Sequence, residues 1–205
     1  MFVHSPIVMG ILNLTPDSFS DGGQFDSVVA AVDSAKSMVE AGANIIDIGG
    51  ESTRPGAERI SIDVELERVI PVIRALDSLG IYVSIDTMRS QVAQAAVAAG
   101  AQMVNDVSGG LSDPEMLSTV AQLGVPIVLM HWRGHSKTMQ ENVHYVDALT
   151  EVSIELKERA VAAVAAGIPR GDIILDPGIG FGKKAEHNWQ LLHNLDELLA
   201  IGYPL

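Results

Sequence analysis

The chain contains no cysteine. Disulfides, thiolate metal sites and thiol nucleophiles are therefore excluded. Positive charge is scarce as well: 13 lysines and arginines stand against 26 acidic residues, a formal charge of −13. That balance opposes the basic grip that sequence-blind nucleic-acid binding needs, and equally a polybasic contact with an anionic membrane. Neither partner is expected. Any anionic substrate has to be held by a few local cations, backbone N–H groups or a metal ion. No apolar run reaches the ~18 residues of a membrane-spanning helix. The opening Met1-Phe-Val-His-Ser-Pro6 lacks the basic stretch and apolar run of a signal peptide. The composition thus reads as a soluble, cytoplasmic protein.

What is present is a sizeable apolar complement, 47% of 205 residues, and a repeated transition. Six times an alanine-rich helical segment meets a glycine and then a short β-branched run. The glycines are Gly42, Gly80, Gly100, Gly124, Gly167 and Gly202, placed where a helix C-terminus needs a left-handed residue. Before Gly42, positions Val28, Ala31, Val32, Ala35, Met38 and Val39 recur with helical spacing. Asp26 is the expected cap of that helix, and Asp113-Pro114 marks another helix start. Strands alternating with helices of this length mean βαβ units and a parallel sheet. A doubly wound sheet would carry a G-x-G-x-x-G turn after its first strand, and Asn13 to Gly23 holds none. A (β/α)8 TIM barrel is therefore preferred. Only six βα units are counted, and a seventh strand has barely begun at Tyr203-Pro-Leu205. Residues 1–205 are read as one domain, a C-terminally incomplete barrel without its seventh and eighth units.

The strands share one further property, since most end in an amide or a carboxylate: Asn13, Asp47, Asp86, Asn105-Asp106 and Asp176, with Met130-His131 at the fifth. Side chains alternate faces along a strand, so parity puts Asn13, Asp86, Asn105 and Asp176 inside the barrel, with Met130 as an apolar wall. A carboxylate accepting two parallel N–H bonds, beside an asparagine that both gives and takes, suits the edge of an amino-oxo heterocycle. Helix capping is the competing role for Asp106 and Thr87, and to a lesser degree for Asp176. The turn Gly49-Gly-Glu-Ser-Thr-Arg-Pro-Gly56 offers Ser52, Thr53 and Arg54 as a phosphate cradle.

These segments carry a resemblance. Met9-Gly-Ile-Leu-Asn-Leu-Thr-Pro-Asp-Ser-Phe-Ser-Asp-Gly-Gly23 and Asp47-Ile-Gly-Gly-Glu-Ser-Thr-Arg-Pro-Gly56 resemble the two signatures of bacterial dihydropteroate synthases. Ser84-Ile-Asp-Thr87, Asn105-Asp106 and Leu175-Asp-Pro-Gly-Ile-Gly-Phe-Gly182 continue the match in order. The resemblance implies a (β/α)8 transferase of folate biosynthesis and a sulfonamide target. Such an enzyme joins 6-hydroxymethyl-7,8-dihydropterin pyrophosphate to p-aminobenzoate and releases pyrophosphate. It implies that Asp86, Asn105 and Asp176 hold the pterin, with Met130 and Phe181 packed around it. Asn13 would help bind Mg2+ on the pyrophosphate, and Thr53 and Arg54 would contact that group. Phe19, Asp21 and Pro55 would lie in loops that close over the site and form part of the p-aminobenzoate pocket. Asp21 and Arg54 are the implied catalytic residues.

The family's seventh strand brings a Ser-Arg-Lys segment and its eighth an Arg-x-His; the first does not occur here, and the one Arg-x-His, Arg133-Gly-His135, follows the fifth strand instead. The expectation is a chain impaired in turnover, in which the homodimer implied by the family is in doubt. A pterin-binding but inactive fragment is one alternative. A corrinoid-linked pterin methyltransferase is another, although it does not predict the Ser-Thr-Arg-Pro-Gly turn. A Schiff-base aldolase is disfavoured because Lys183 and Lys184 lie in a glycine-rich loop rather than on a strand. An enolase-like site fails because His131 is a poor third ligand for Mg2+ beside Asp86 and Asp106. His131 and His135, lacking the glutamate of a zinc-protease helix, read as plain loop histidines.

Overall fold

The structure, a computed structural model, describes residues 6–14, 24–52, 59–134 and 143–205. Strands β1 (Met9–Asn13), β2 (Ile45–Gly49), β3 (Val83–Asp86), β4 (Met103–Asp106), β5 (Ile127–Met130) and β6 (Ile173–Asp176) form one sheet in sequence order. Each pairing is parallel. Helices α1 (Gln24–Glu40), α2 (Ile62–Asp77), α3 (Ser90–Ala98), α4 (Met116–Leu123) and α5 (Ala148–Ala165) alternate with the strands, and α6 (Ala185–His193) and α7 (Leu195–Leu199) follow β6. A doubly wound sheet reverses its strand order at a switch point. This order never reverses.

Period-two alternation sends the strand residues into two cores. Ile46, Ile48, Val83, Ile85, Val104, Ile127, Leu129, Ile173 and Leu175 pack outward against the helices, where Ala31, Ala35, Val69, Ile73 and Val92 receive them. Each such Ile or Leu contributes about 1.5–3 kcal/mol by burial, and truncating a central one such as Ile85 to alanine costs about 2–5 kcal/mol. On the other face, Ile45, Met103 and Val128 gather with Met9, Tyr82 and Ile174. Side chains from the first and last strands share that cluster, which requires a sheet curled about its own interior. This is barrel curvature.

Helix ends follow the sequence signals closely. The six expected glycines all have positive φ, from 67° at Gly124 to 120° at Gly100. Asp113 serves two helices, accepting from Ser90 N at the start of α3 and from Glu115 N just before α4. Two expectations need correction. Helix α1 begins at Gln24, so Asp26 lies within its first turn rather than at its cap. Val39, one of the positions with helical spacing, is exposed, while Met38 beside it turns toward the core. At the other end of the sheet, Leu175 N donates to Pro204 O at 2.9 Å. The main chain at Tyr203-Pro-Leu205 thus runs beside β6, where a further strand is expected. Among the described residues, no helix is long and apolar enough to cross a membrane.

Candidate active site

Parallel register aligns the polar strand ends into one row. Asn13 pairs with Gly49, Gly49 with Asp86, and Asp86 with Asn105. Across the pocket Met130 pairs with Asp176. Strands in register lie about 4.8 Å apart, so these side chains share a mouth that a single bicyclic ring can span. Gly49 leaves room at the centre of the row: a Cβ there would sit 3.0 Å from Asn13 Oδ1 and 3.4 Å from Asp86 Oδ2. Opposite stands an apolar wall in which Met130 packs with Met88, Val107 and the partly exposed Phe181.

The electrostatics of this mouth are unusual for a protein surface. Burial pushes the Asp86 carboxyl well above the ordinary carboxylate range, and the like charges of Asp47, Asp106, Glu65 and Glu51 add to the push. Asp176 is raised by burial too, although Gly178 N donates to its Oδ1 at 2.7 Å and Lys183 pulls it back. Among the described residues, no side chain or backbone N–H donates to the Asp86 carboxylate. Carboxyls in this condition are stabilised by a ligand that brings N–H donors.

Three neighbours have structural duties. Asp106 is fully buried on the opposite face, accepting from Ser108 N, Ser108 Oγ and Gly110 N to close the turn after β4. Thr87 donates to Glu65 Oε1 and accepts from Arg89 N. None of Asp106, Thr87 and Asp176 caps the helix that follows, since the caps of α3, α4 and α6 are Arg89, Glu115 and Lys184. Asp106 and Asp176 instead close the turns after their strands, and Asp176 uses one oxygen there and leaves the other for the pocket.

His131 is not a plain loop histidine: it is 2% exposed. Its Nδ1 accepts from Lys183 Nζ at 3.0 Å and its Nε2 lies 2.9 Å from Glu155 Oε2. Burial, and next the Lys183 cation, lower its pKa to about 4, so the ring is neutral with its proton on Nε2. Lys183 is itself buried and lowered to about 8, first by desolvation. It donates to Gly178 O and Phe181 O, which fixes the turn that carries Phe181. Tyr145 reinforces this turn by donating to Gly182 O.

A second anchor lies beneath the loop after β2. Glu51 accepts from Ile60 N, Arg59 Nε and Arg89 Nη2, so its side chain ties the end of β2 to the residues just ahead of α2 and α3. Arg89 also pairs with the buried Glu65.

Of the residues expected at the site, Asn13, Asp86, Asn105, Met130, Asp176 and Phe181 are brought together. Phe19, Asp21, Thr53, Arg54 and Pro55 lie outside the described residues, as does His135. Sequence reading missed Met88, Val107, Glu51 and Lys183, whose roles depend on distant partners. It also left Asp47 out of the pocket, although parity with Gly49 already placed it inside. Asn105 Nδ2 donates to Asp47 Oδ2 at 2.9 Å. Among the described residues, no three acidic or histidine side chains converge to hold a metal ion.

The family model described as "Pterin binding enzyme" matches residues 9–205. A dihydropteroate synthase of a Synechocystis species is 54% identical over 199 residues, spanning 97% of this chain and 69% of that relative. Among solved structures, Xanthomonas albilineans dihydropteroate synthase with 4-aminobenzoic acid superposes with a TM-score of 0.89 at 49% identity, covering 97% of this chain and 71% of that one. The same enzyme in complex with 7,8-dihydropteroate gives 0.87 at 44% identity, covering 100% of this chain and 72% of that one.

Proposed function

We infer that this chain, which belongs to the pterin binding enzyme family, acts as a dihydropteroate synthase. It joins 6-hydroxymethyl-7,8-dihydropterin pyrophosphate to p-aminobenzoate, giving 7,8-dihydropteroate and pyrophosphate. The observation that carries the reading is the polar row Asp86–Asn105 facing Asp176 across an apolar wall of Met130, Met88, Val107 and Phe181. That arrangement is shaped for a flat ring whose edge is rich in N–H groups. Relatives of this chain bind 4-aminobenzoic acid and 7,8-dihydropteroate, which supports extending both ligands to it.

In this reading Asp86, Asn105 and Asp176 orient the ring, so that its methylene carbon faces the incoming amine. The C–O bond to pyrophosphate breaks and a C–N bond forms, while the amine gives up one proton. Thr53 and Arg54 take the leaving group, stabilising charge as it develops. Phe19, Asp21 and Pro55 close over p-aminobenzoate and exclude water, which would otherwise compete for the same carbon. Asn13 fits a hard cation, because its neutral amide oxygen stands beside Gly49 and near Asp86 Oδ2, a set of oxygen donors at the mouth. Mg2+ typically takes one or two protein oxygens and completes its shell with phosphates and water. Such an ion, when bound, offsets the charge of the pyrophosphate.

The test is pyrophosphate release measured with both substrates. The expected result is release that depends on p-aminobenzoate and falls at least a hundredfold in Asp176→Ala. Release indifferent to p-aminobenzoate would overturn the reading, as would methyl transfer from methyltetrahydrofolate to a corrinoid.

A further inference from the structure

Asp47 lies one row deeper than the residues given roles above. It is 1% exposed on the interior face of β2, in register with Ser84 on β3. Its Oδ2 accepts from Asn105 Nδ2, while its Oδ1 and the neighbouring Ser84 Oγ have no hydrogen-bond partner among the described residues. A buried carboxylate with one oxygen unsatisfied, near a second carboxylate at Asp86, costs stability. Burial raises its pKa, and the Ser84 hydroxyl and the Asn105 amide beside it offset only part of that rise. Side chains held at such a cost cluster at functional sites.

We propose that Asp47 is a positioning residue that fixes which way round the Asn105 amide faces the bound ring, and so which hydrogen-bonding edge the pocket accepts. The inference rests on the pterin-pocket reading. An asparagine amide is nearly symmetrical in shape, and a 180° flip exchanges its donor for its acceptor. An ionised carboxylate only accepts, so Asp47 admits the Nδ2 side of the amide and rejects the oxygen. Oδ1 and the second N–H of Asn105 are then left for the ligand in one fixed arrangement. Among the described residues, Asp47 is the group that hydrogen-bonds the Asn105 side chain, so without it neither orientation is selected. The ligand would then have to impose one, at a loss of affinity.

The experiment compares the wild type, Asp47→Ala and Asp47→Asn by calorimetric titration with 6-hydroxymethylpterin and by thermal melting. Asp47→Ala is expected to bind the pterin about tenfold more weakly while melting no lower than the wild type, because a desolvated carboxylate has been removed. Asp47→Asn, whose amide can turn either its oxygen or its N–H group toward Asn105, no longer selects an orientation and is expected to weaken binding comparably. A purely structural role predicts that binding and melting temperature fall together. Wild-type affinity in Asp47→Ala or in Asp47→Asn would overturn the proposal. If Asp47→Ala does not fold, the wild-type side-chain amide of Asn105 decides by NMR. One hydrogen slow to exchange and shifted downfield supports the proposal, and two equivalent, fast-exchanging hydrogens overturn it. Absence of pterin binding by the wild type would instead refute the function on which the inference depends.

Discussion

Asp86 carries the largest electrostatic burden at the site. Burial and four neighbouring carboxyl groups all oppose its charge, yet the charged form is the one that accepts N–H groups from a ring. Replacement by asparagine relieves that opposition. Asp86→Asn is expected to gain roughly 1 kcal/mol, which for a chain of this size raises the melting temperature by about 2–4 °C. Pterin affinity is expected to fall tenfold or more in the same protein, and calorimetry with melting curves reads both effects. The pH dependence has a definite sign. The ligand prefers ionised Asp86, so affinity weakens as pH falls through the raised pKa of that group. Titrations across the acid range should show this weakening in the wild type and lose it in Asp86→Asn. A wild-type affinity flat across that range would refute the assignment.

At the scale of elements, the segments after the strands are tied down by partly or fully buried cations, Arg89 and Lys183. Arg89, just ahead of α3, pairs with Glu51 in the loop after β2 and with buried Glu65 on α2. Arg89→Met would leave Glu65 buried without its ion pair, a change that costs about 3–5 kcal/mol. Chemical denaturation should record that loss, and a loss below 1 kcal/mol would show that the network is incidental. Lys183 does the same for the turn after β6 through Gly178 O, Phe181 O and His131. In Lys183→Met, hydrogen exchange at residues 178–182 is expected to quicken and pterin affinity to weaken severalfold. The same variant removes a cation from His131, whose pKa should rise from about 4, as an NMR titration would show. Neutral His131 binds fewer protons folded than unfolded between its ordinary 6.5 and about 4, so stability drops as pH falls through that window. The drop should be shallower in Lys183→Met.

At the scale of the whole molecule, a chain of formal charge −13 has to admit a highly anionic substrate. Long-range repulsion slows the encounter, and salt screens it over the Debye length of about 10 Å at 0.1 M. Association of the pterin pyrophosphate, followed by stopped-flow fluorescence, is therefore expected to quicken as salt rises from about 10 to 100 mM. Slowing would show instead that local cations dominate the approach. Charge, strand boundaries and facing were all legible in the sequence, because composition and a period of two are local properties of the chain. Met9–Asn13, Val83–Asp86, Met103–Asp106 and Ile173–Asp176 begin and end where their apolar runs do, and parity alone placed Asn13, Asp86, Asn105 and Asp176 on the interior face. Partnership was not legible. Asp47 with Asn105, Glu51 with Arg89, and His131 with Lys183 are each separated by 38 residues or more. Only the curling of the sheet and the packing of helices around it decide which distant polar groups meet, because burial forces every such group to find a partner wherever the fold supplies one.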